Sequence, residues 1–231
     1  MKLECLILLL LAAFLSSCLS DGDGENDEKV RDDFDAAVVC PEEGTNSYGM
    51  PNRGTFVDER DSNIYRYTTI GKQVWMAQNL RFFDVEHYDF DFKGSICYYE
   101  EDNCTEKGFA YYDNGYMENA CPPGWHLPDI DEWNELIKTM GGDTLATSRL
   151  KSRSGWTPLN PGDNGNGTDD CGFAVLPAKT LVYGYDGYRA YFVSSSPGHL
   201  GKATKIFDTD EPLIKQSDWS RANASIRCVK D

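Results

Sequence analysis

The chain has 231 residues, of which 38 are acidic and 22 basic, and its formal net charge is −16 at pH 7. A surface this acidic repels nucleic-acid phosphates and anionic lipid headgroups, so we exclude nucleic acid as a partner and expect no charge-driven membrane binding. At ~100–200 residues per domain, the length fits one folded domain with extensions.

The N-terminus has the pattern of an export signal. A charged start precedes an apolar run from Leu6 to Leu15, which is too short to span a membrane. The run ends in LSSC, which resembles a bacterial lipobox, so we predict a lipoprotein signal peptide at 1–17 and lipid on Cys18. The alternative is an ordinary secretory signal with a chance cysteine. We expect an exported protein, anchored by its lipid at the outer membrane or cell surface.

An acidic segment follows. Residues 19–35 read LSDGDGENDEKVRDDFD and contain few apolar side chains. Such a composition cannot bury enough surface to fold. We therefore predict a flexible tether at 18–48 and a folded domain at 49–231.

Six cysteines remain after the signal peptide and the lipidation site are set aside. An even number in an exported chain indicates disulfides, and six cysteines allow 15 connectivities. No pair has C-x-x-C spacing, which disfavours a zinc site or a thioredoxin-like redox site. The six are Cys40, Cys97, Cys104, Cys121, Cys171 and Cys228.

The domain reads as short helices and strands. Residues 63–80 alternate as two strands around a turn, and Asp129 with Glu132 has the pattern of a capping box that opens a helix. That helix continues at helical spacing to Met140 and ends at Gly141-Gly142. A second short helix is predicted at 144–152, followed by strands at 172–178, 189–196, 202–208 and 225–231. The fold class is α+β.

Six ordered motifs resemble a known family. They are IGKQVWMAQNL, CPPGWHLPDIDEW, LKSRSGW, NGNGTDDCGFAVLPA, YFVSSS and SIRCVKD. In this order they look like the Fibrobacter succinogenes major paralogous domain, over roughly residues 54–231. GWHLPDIDEW and IRCV are also similar, more remotely, to segments of the formylglycine-generating enzyme family. The remote resemblance implies a C-type-lectin-like α+β fold, loop-rich and disulfide-stapled, with two short helices, several short antiparallel strands and paired terminal strands.

The resemblance also implies a disulfide pairing. Cys97 and Cys104 are family positions close in sequence, and Cys121 and Cys228 are family positions far apart. The resemblance therefore implies the bonds Cys97–Cys104 and Cys121–Cys228. Two cysteines depart from the family pattern and are left over, which suggests a third bond, Cys40–Cys171.

The motifs offer little support for catalysis. The three histidines, at 87, 126 and 199, have no zinc-binding spacing, and the serines at 194–196 lack the G-x-S-x-G elbow. A hydrogen-bonded structural role is favoured for His126 over a catalytic one. The remote enzyme relatives use a pair of reactive late cysteines, whereas here only Cys228 is late. We expect no enzyme activity.

A tyrosine-rich segment is a candidate ligand-binding surface. The sequence LVYGYDGYRAYF at 181–192 carries Tyr183, Tyr185, Tyr188 and Tyr191 among glycines. Such rings stack on sugars or anchor a protein partner. The alternative, which the pattern favours, is a hairpin whose tyrosines alternate between core and solvent.

The loop NPGDNGNGTDD at 160–170 is a candidate calcium site. Asp163, Asn166, Asp169 and Asp170 offer the oxygen ligands that calcium prefers, although the EF-hand spacing is absent. A metal-free turn built from Asn and Gly is favoured. Apart from calcium at this loop, no cofactor is expected.

Together these patterns predict a lipid-anchored envelope protein that acts by non-catalytic recognition or adhesion. Its partner would be a polysaccharide or another surface protein. One alternative is an exported hydrolase that acts on glycans, and a second is a purely structural envelope protein.

Overall fold

The structure is a computed structural model that describes residues 32–83, 95–96, 101–111, 117–177, 187–198, 201–209, 214–217 and 224–231. The chain divides into two compact units, Met1–Asp33 and Phe34–Asp231. The described residues belong almost entirely to the second unit. Cys18 and the predicted signal peptide at 1–17 lie outside them. No helix within the described ranges is long and apolar enough to cross a membrane.

The second unit combines short helices with short antiparallel strands. Its helices are α1 (Ala36–Val39), α2 (Glu101–Lys107), α3 (Ile130–Thr139) and α4 (Asp143–Leu150). Its strands are β1 (Arg53–Val57), β2 (Ile64–Ile70), β3 (Gln73–Met76), β4 (Ser95–Ile96), β5 (Ala110–Tyr111), β6 (Trp125–His126), β7 (Arg189–Gly198), β8 (Gly201–Asp208), β9 (Lys215–Ser217) and β10 (Val229–Lys230). This mixture confirms the predicted α+β class.

The main sheet brings distant parts of the chain together. Its five strands lie in the order β1-β2-β3-β10-β6, and every pairing is antiparallel. The late strand β10 lies between β3 and β6, with Val229 opposite both Trp75 and His126. A second sheet has the order β7-β8-β9, and β4 pairs with β5.

Helix α3 forms as its sequence predicts. The Asp129 side chain accepts from the backbone N–H of Glu132, and the Glu132 side chain accepts from that of Asp129, which completes the capping box. Trp133, Leu136 and Ile137 of α3 are buried. The glycine pair at 141–142 then ends the helix with two positive φ angles, a conformation that glycine adopts without steric cost.

Aromatic side chains fill the core on both faces of the main sheet. Trp75 and Trp133 lie 4.8 Å apart between ring centroids, and Phe173 and Phe192 pack around them. A second cluster gathers around Tyr65, Tyr67, Met76, Trp125 and Ile226. Burying such rings supplies a large share of the hydrophobic stabilisation.

Two disulfides tie the ends of the unit to its middle. Cys40 is bonded to Cys171 and Cys121 to Cys228, and these are two of the three pairs drawn from the family resemblance. Cys104 is also disulfide-bonded. Its expected partner, Cys97, lies outside the described residues.

Three expectations differ from the structure. Residues 34–48 belong to the folded unit rather than to a flexible tether, because α1 forms there, Phe34 and Val39 pack against the core, and Cys40 is bonded. The segment 172–178 is not a strand over its described part, since only Val175 bridges, to Lys151. Four α-helices and one 3₁₀ helix (Met117–Asn119), not two helices, occur in the described ranges, because α1 and α2 lack an amphipathic pattern that reveals them.

Candidate functional site

His126 lies between two carboxylates at the edge of the main sheet. Its Nδ1 atom is 2.8 Å from Oδ1 of Asp231, and its Nε2 atom is 2.9 Å from Oε1 of Glu132. The imidazole is 42% exposed, and the Asp231 side chain is 57% exposed. The three polar groups therefore face solvent while they bind each other.

Local structure explains how the three side chains meet. Residues 125–126 form β6, which pairs with β10, and this pairing places Asp231 beside His126. Glu132 comes from the first turn of α3, where Oε2 accepts from Asp129 N–H at 2.9 Å and leaves Oε1 for His126. The start of α3 is held to β7, because Ile130 N–H donates to Ser196 Oγ. Backbone and side-chain contacts thus fix the positions of His126, Glu132 and Asp231.

The geometry favours a protonated imidazole. A neutral histidine can donate from only one ring nitrogen, whereas both nitrogens of His126 lie at hydrogen-bond distance from a carboxylate. Burial by itself lowers the pKa of His126, but the hydrogen bonds to Asp231 and Glu132 more than offset burial and raise the pKa above its ordinary value. His126 therefore carries positive charge over a wider pH range than a free histidine.

An exposed aromatic ring lies at the same edge of the sheet and contacts the backbone of the residue that precedes Asp231. Tyr48 is 44% exposed, and its hydroxyl donates to the carbonyl of Lys230 at 3.3 Å. The Lys230 ammonium lies 5.7 Å from the ring centroids of both Tyr48 and Trp125, and it donates to the carbonyl of Gly124. We call Tyr48, His126, Glu132, Lys230 and Asp231 the His126 surface. Its side chains fall into two groups, His126 with its two carboxylates and Tyr48 with Lys230, and the backbone of residues 230–231 connects the two groups.

The two candidate tyrosines that the structure describes do not form one exposed surface. Tyr191 is only 6% exposed and belongs to the core, so its assignment as a ligand-binding residue is wrong: its place in β7 turns the ring inward. Tyr188 is half-buried, and its carbonyl accepts from both the backbone and the hydroxyl of Thr209. Tyr183 and Tyr185 lie outside the described residues.

Each of the candidate calcium ligands makes a hydrogen bond or an ion pair with another residue of the chain. Asp163 Oδ2 accepts a hydrogen bond from the Asn160 side chain. Asn166 Oδ1 accepts one from the Trp156 N–H, and Asp169 Oδ1 accepts one from the Ala174 N–H. Asp170 pairs with Arg149 at 3.7 Å. Among the described residues, which include this whole loop, no group of three His, Cys, Asp or Glu side chains is arranged to hold a metal ion. The loop is therefore held by its own Asn160–Asp163 contact and by contacts to neighbouring segments.

Sequence reasoning missed a buried arginine. Arg227 is 1% exposed, and its guanidinium donates to Asn79 Oδ1 and to the carbonyls of Phe173 and Ala174. Burial lowers the pKa of Arg227 to about 9. The SIRCV motif gives no sign that its arginine points inward, because an arginine next to two apolar residues reads equally well as the solvent face of a strand.

Comparison with known proteins identifies the family. The family model described as the Fibrobacter succinogenes major domain matches residues 68–230, which is more than half of the chain. The chain belongs to this family. Neither the curated proteins nor the solved structures that were compared with it gave a match.

Proposed function

We propose that this chain is an exported, lipid-anchored envelope protein that recognises a polysaccharide or another surface protein without catalysing a reaction. The anchor would be Cys18, within the lipobox-like LSSC at residues 15–18. The protein would stand at the outer membrane or cell surface, joined to its lipid by the acidic residues that follow Cys18.

The C-type-lectin-like fold is part of this proposal. The pairing of the late strand β10 with the early strand β3 supports it, as does a disulfide from Cys121, just before α3, to Cys228, just before β10. Such a fold presents loops and strand edges for recognition. Because one fold can have many functions, the function depends on the residues of the site.

The His126 surface is the observation that carries the recognition role. Sugar rings stack on exposed aromatic faces, and their hydroxyls donate to carboxylates and accept from cations. Tyr48 offers such a face, and Asp231 offers a carboxylate with most of its surface open to solvent. The Asp231 carboxylate can accept hydrogen bonds from hydroxyls. A glycan hydrolase would need a pair of carboxylates in a deep cleft, whereas this surface is open.

The test is binding of a soluble form to a panel of soluble and insoluble glycans. The form should begin at residue 34, where the folded unit begins, so that Phe34 and Cys40 keep their contacts. Saturable binding to one class of glycan is the expected result. Binding only to a purified surface protein would assign the protein-partner role, and release of reducing ends would favour the hydrolase instead. Parallel runs with calcium and with a chelator test the loop at 160–170.

A further inference from the structure

Lys151 stands out among the lysines of the described chain. It follows α4 within the LKSRSGW motif and retains only 5% of its accessible surface. Its Nζ atom lies 4.1 Å from the centroid of the Trp156 ring. Among the described residues, the ammonium makes no hydrogen bond and no ion pair. A lysine this buried is normally paired, because an unpaired buried charge costs free energy.

The surroundings of Lys151 are fixed by backbone contacts. The backbone of Lys151 bridges to Val175, and the N–H of Gly167 donates to Ser152. Gly167 packs so closely that a Cβ atom at that position would lie 2.5 Å from the Cβ of Lys151. Trp156, whose ring contacts the ammonium, precedes Thr157, whose N–H donates to the carbonyl of Gly187 at 2.8 Å. The backbone of Lys151 is therefore fixed, as is the segment that carries the ring beside its ammonium.

The carboxylate that acts electrostatically on Lys151 is already paired with an arginine. Asp208 acts electrostatically on Lys151, but its Oδ2 atom lies 2.6 Å from Nε of Arg189. Burial lowers the pKa of Lys151 to about 8, and Asp208 only partly opposes that effect. A substantial fraction of the amine is therefore neutral, and hence nucleophilic, near neutral pH.

We propose that Lys151 is a covalent modification site that captures small aldehydes as an imine. The neutral Nζ attacks the carbonyl carbon, the carbonyl oxygen leaves as one molecule of water after proton transfer from nitrogen, and a carbon–nitrogen double bond replaces the carbon–oxygen double bond. The site favours this product for two reasons. First, the imine can be neutral, so it avoids the positive charge that burial disfavours. Second, a protonated imine would keep its contact with the Trp156 ring. Because Lys151 keeps only a small exposed fraction, the proposal is restricted to small carbonyl compounds.

The chain supplies two matched controls. Lys138 is exposed on α3, so it reports the reactivity of an ordinary surface lysine. Lys205 is 4% exposed, and burial also lowers its pKa, but its Nζ donates to Asn134 Oδ1 at 2.8 Å. Lys205 thus tests whether burial alone, without a free amine, is sufficient for reaction.

The experiment is reductive trapping on the full-length chain. Limiting glycolaldehyde is added with cyanoborohydride, which reduces any imine to a stable amine, and each lysine is then quantified by peptide mapping across a pH range that brackets 8 and 10.5. We expect Lys151 to be labelled at least about tenfold faster than Lys138 near pH 8, because a pKa lower by two units or more raises the neutral fraction by roughly a hundredfold. Selectivity should disappear in denaturant.

Variants keep the proposal falsifiable. Lys151→Arg retains the positive charge and should remove the fast label while thermal unfolding stays within a few degrees of the unmodified chain. Trp156→Phe keeps an aromatic ring and should slow the label without abolishing it. Labelling of Lys151 no faster than that of Lys138 would overturn the proposal, as would preferential labelling of Lys205. These results do not depend on glycan binding at the His126 surface.

Discussion

Nε2 of His126 lies 2.9 Å from Oε1 of Glu132, and the other carboxylate oxygen of Glu132 caps the start of α3. One glutamate therefore joins the edge strand β6 to the helix that follows it. Asp231 holds the opposite side of the same imidazole at 2.8 Å. The charge on His126 thus affects β6, β10 and α3 together, which makes its titration a direct probe of this part of the fold.

Stability should depend on pH through His126. Its pKa is raised in the folded state, so the stabilisation is complete below the unfolded value of 6.5 and is lost as pH rises through the folded pKa. Because the ring is well exposed, the loss should be less than about 1 kcal/mol. Chemical denaturation at several pH values should show this step in the unmodified chain and not in His126→Gln. An NMR titration that gives a pKa at or below 6.5 would contradict the geometry.

Replacement of Arg227 should be among the most destabilising changes in the chain. Arg227→Met keeps much of the volume but leaves Asn79 Oδ1 and the carbonyls of Phe173 and Ala174 without their donor. We expect a loss of about 3 kcal/mol or more in the free energy of unfolding, measured by chemical denaturation.

Arg66→Met is the matched control for Arg227→Met. Arg66 is exposed on β2, and its charge slightly disfavours that of Arg227. The control should change stability by no more than about 0.5 kcal/mol. Equal losses of unfolding free energy in the two variants would show that the buried hydrogen bonds of Arg227 do not cause the destabilisation.

Removal of each described disulfide should have a different effect, one on global unfolding alone and the other also on protease sensitivity near α1. Each closes a loop of more than 100 residues, with separations of 107 and 131, so each contributes up to about 4–5 kcal/mol in the chain-entropy model. The double variant Cys121→Ala, Cys228→Ala should unfold globally at lower temperature. The double variant Cys40→Ala, Cys171→Ala should in addition become sensitive to protease at 34–39, because α1 has no buried residues of its own.

Non-reducing peptide mapping checks the pairing directly. The fragments that contain Cys121 and Cys228 should migrate as one species, as should those that contain Cys40 and Cys171. A free thiol at any of these four positions in the purified chain would contradict the structure.

Local signals made α3 predictable. The capping box at Asp129 and Glu132, the helical spacing of buried residues and the terminal glycines all act within a few turns, so the sequence alone identifies the helix. The family resemblance, which depends on whole motifs, was needed to reach the bond between Cys121 and Cys228. Chain entropy and spacing leave that pairing open.

Tertiary packing decided what the sequence could not. Tyr191 points into the core because β7 pairs with β8 in a register that places Tyr191 opposite Ile206, and no local pattern fixes that face. Tyr48, the exposed aromatic residue of the His126 surface, lies in the segment that composition assigned to a flexible tether. His126 was correctly expected to be hydrogen-bonded, but Asp231, which lies 105 residues away, could not be named as its partner.

The most direct test of recognition at the His126 surface is the affinity of two tyrosine variants for the best ligand found in the glycan panel. Tyr48→Ala removes the exposed ring of that surface, whereas Tyr188→Ala alters the tyrosine-rich segment. Loss of one stacking ring is worth about 1.4 kcal/mol, so Tyr48→Ala should weaken binding about tenfold and Tyr188→Ala should leave it nearly unchanged. Unchanged binding in Tyr48→Ala together with loss in Tyr188→Ala would contradict the assignment of the site.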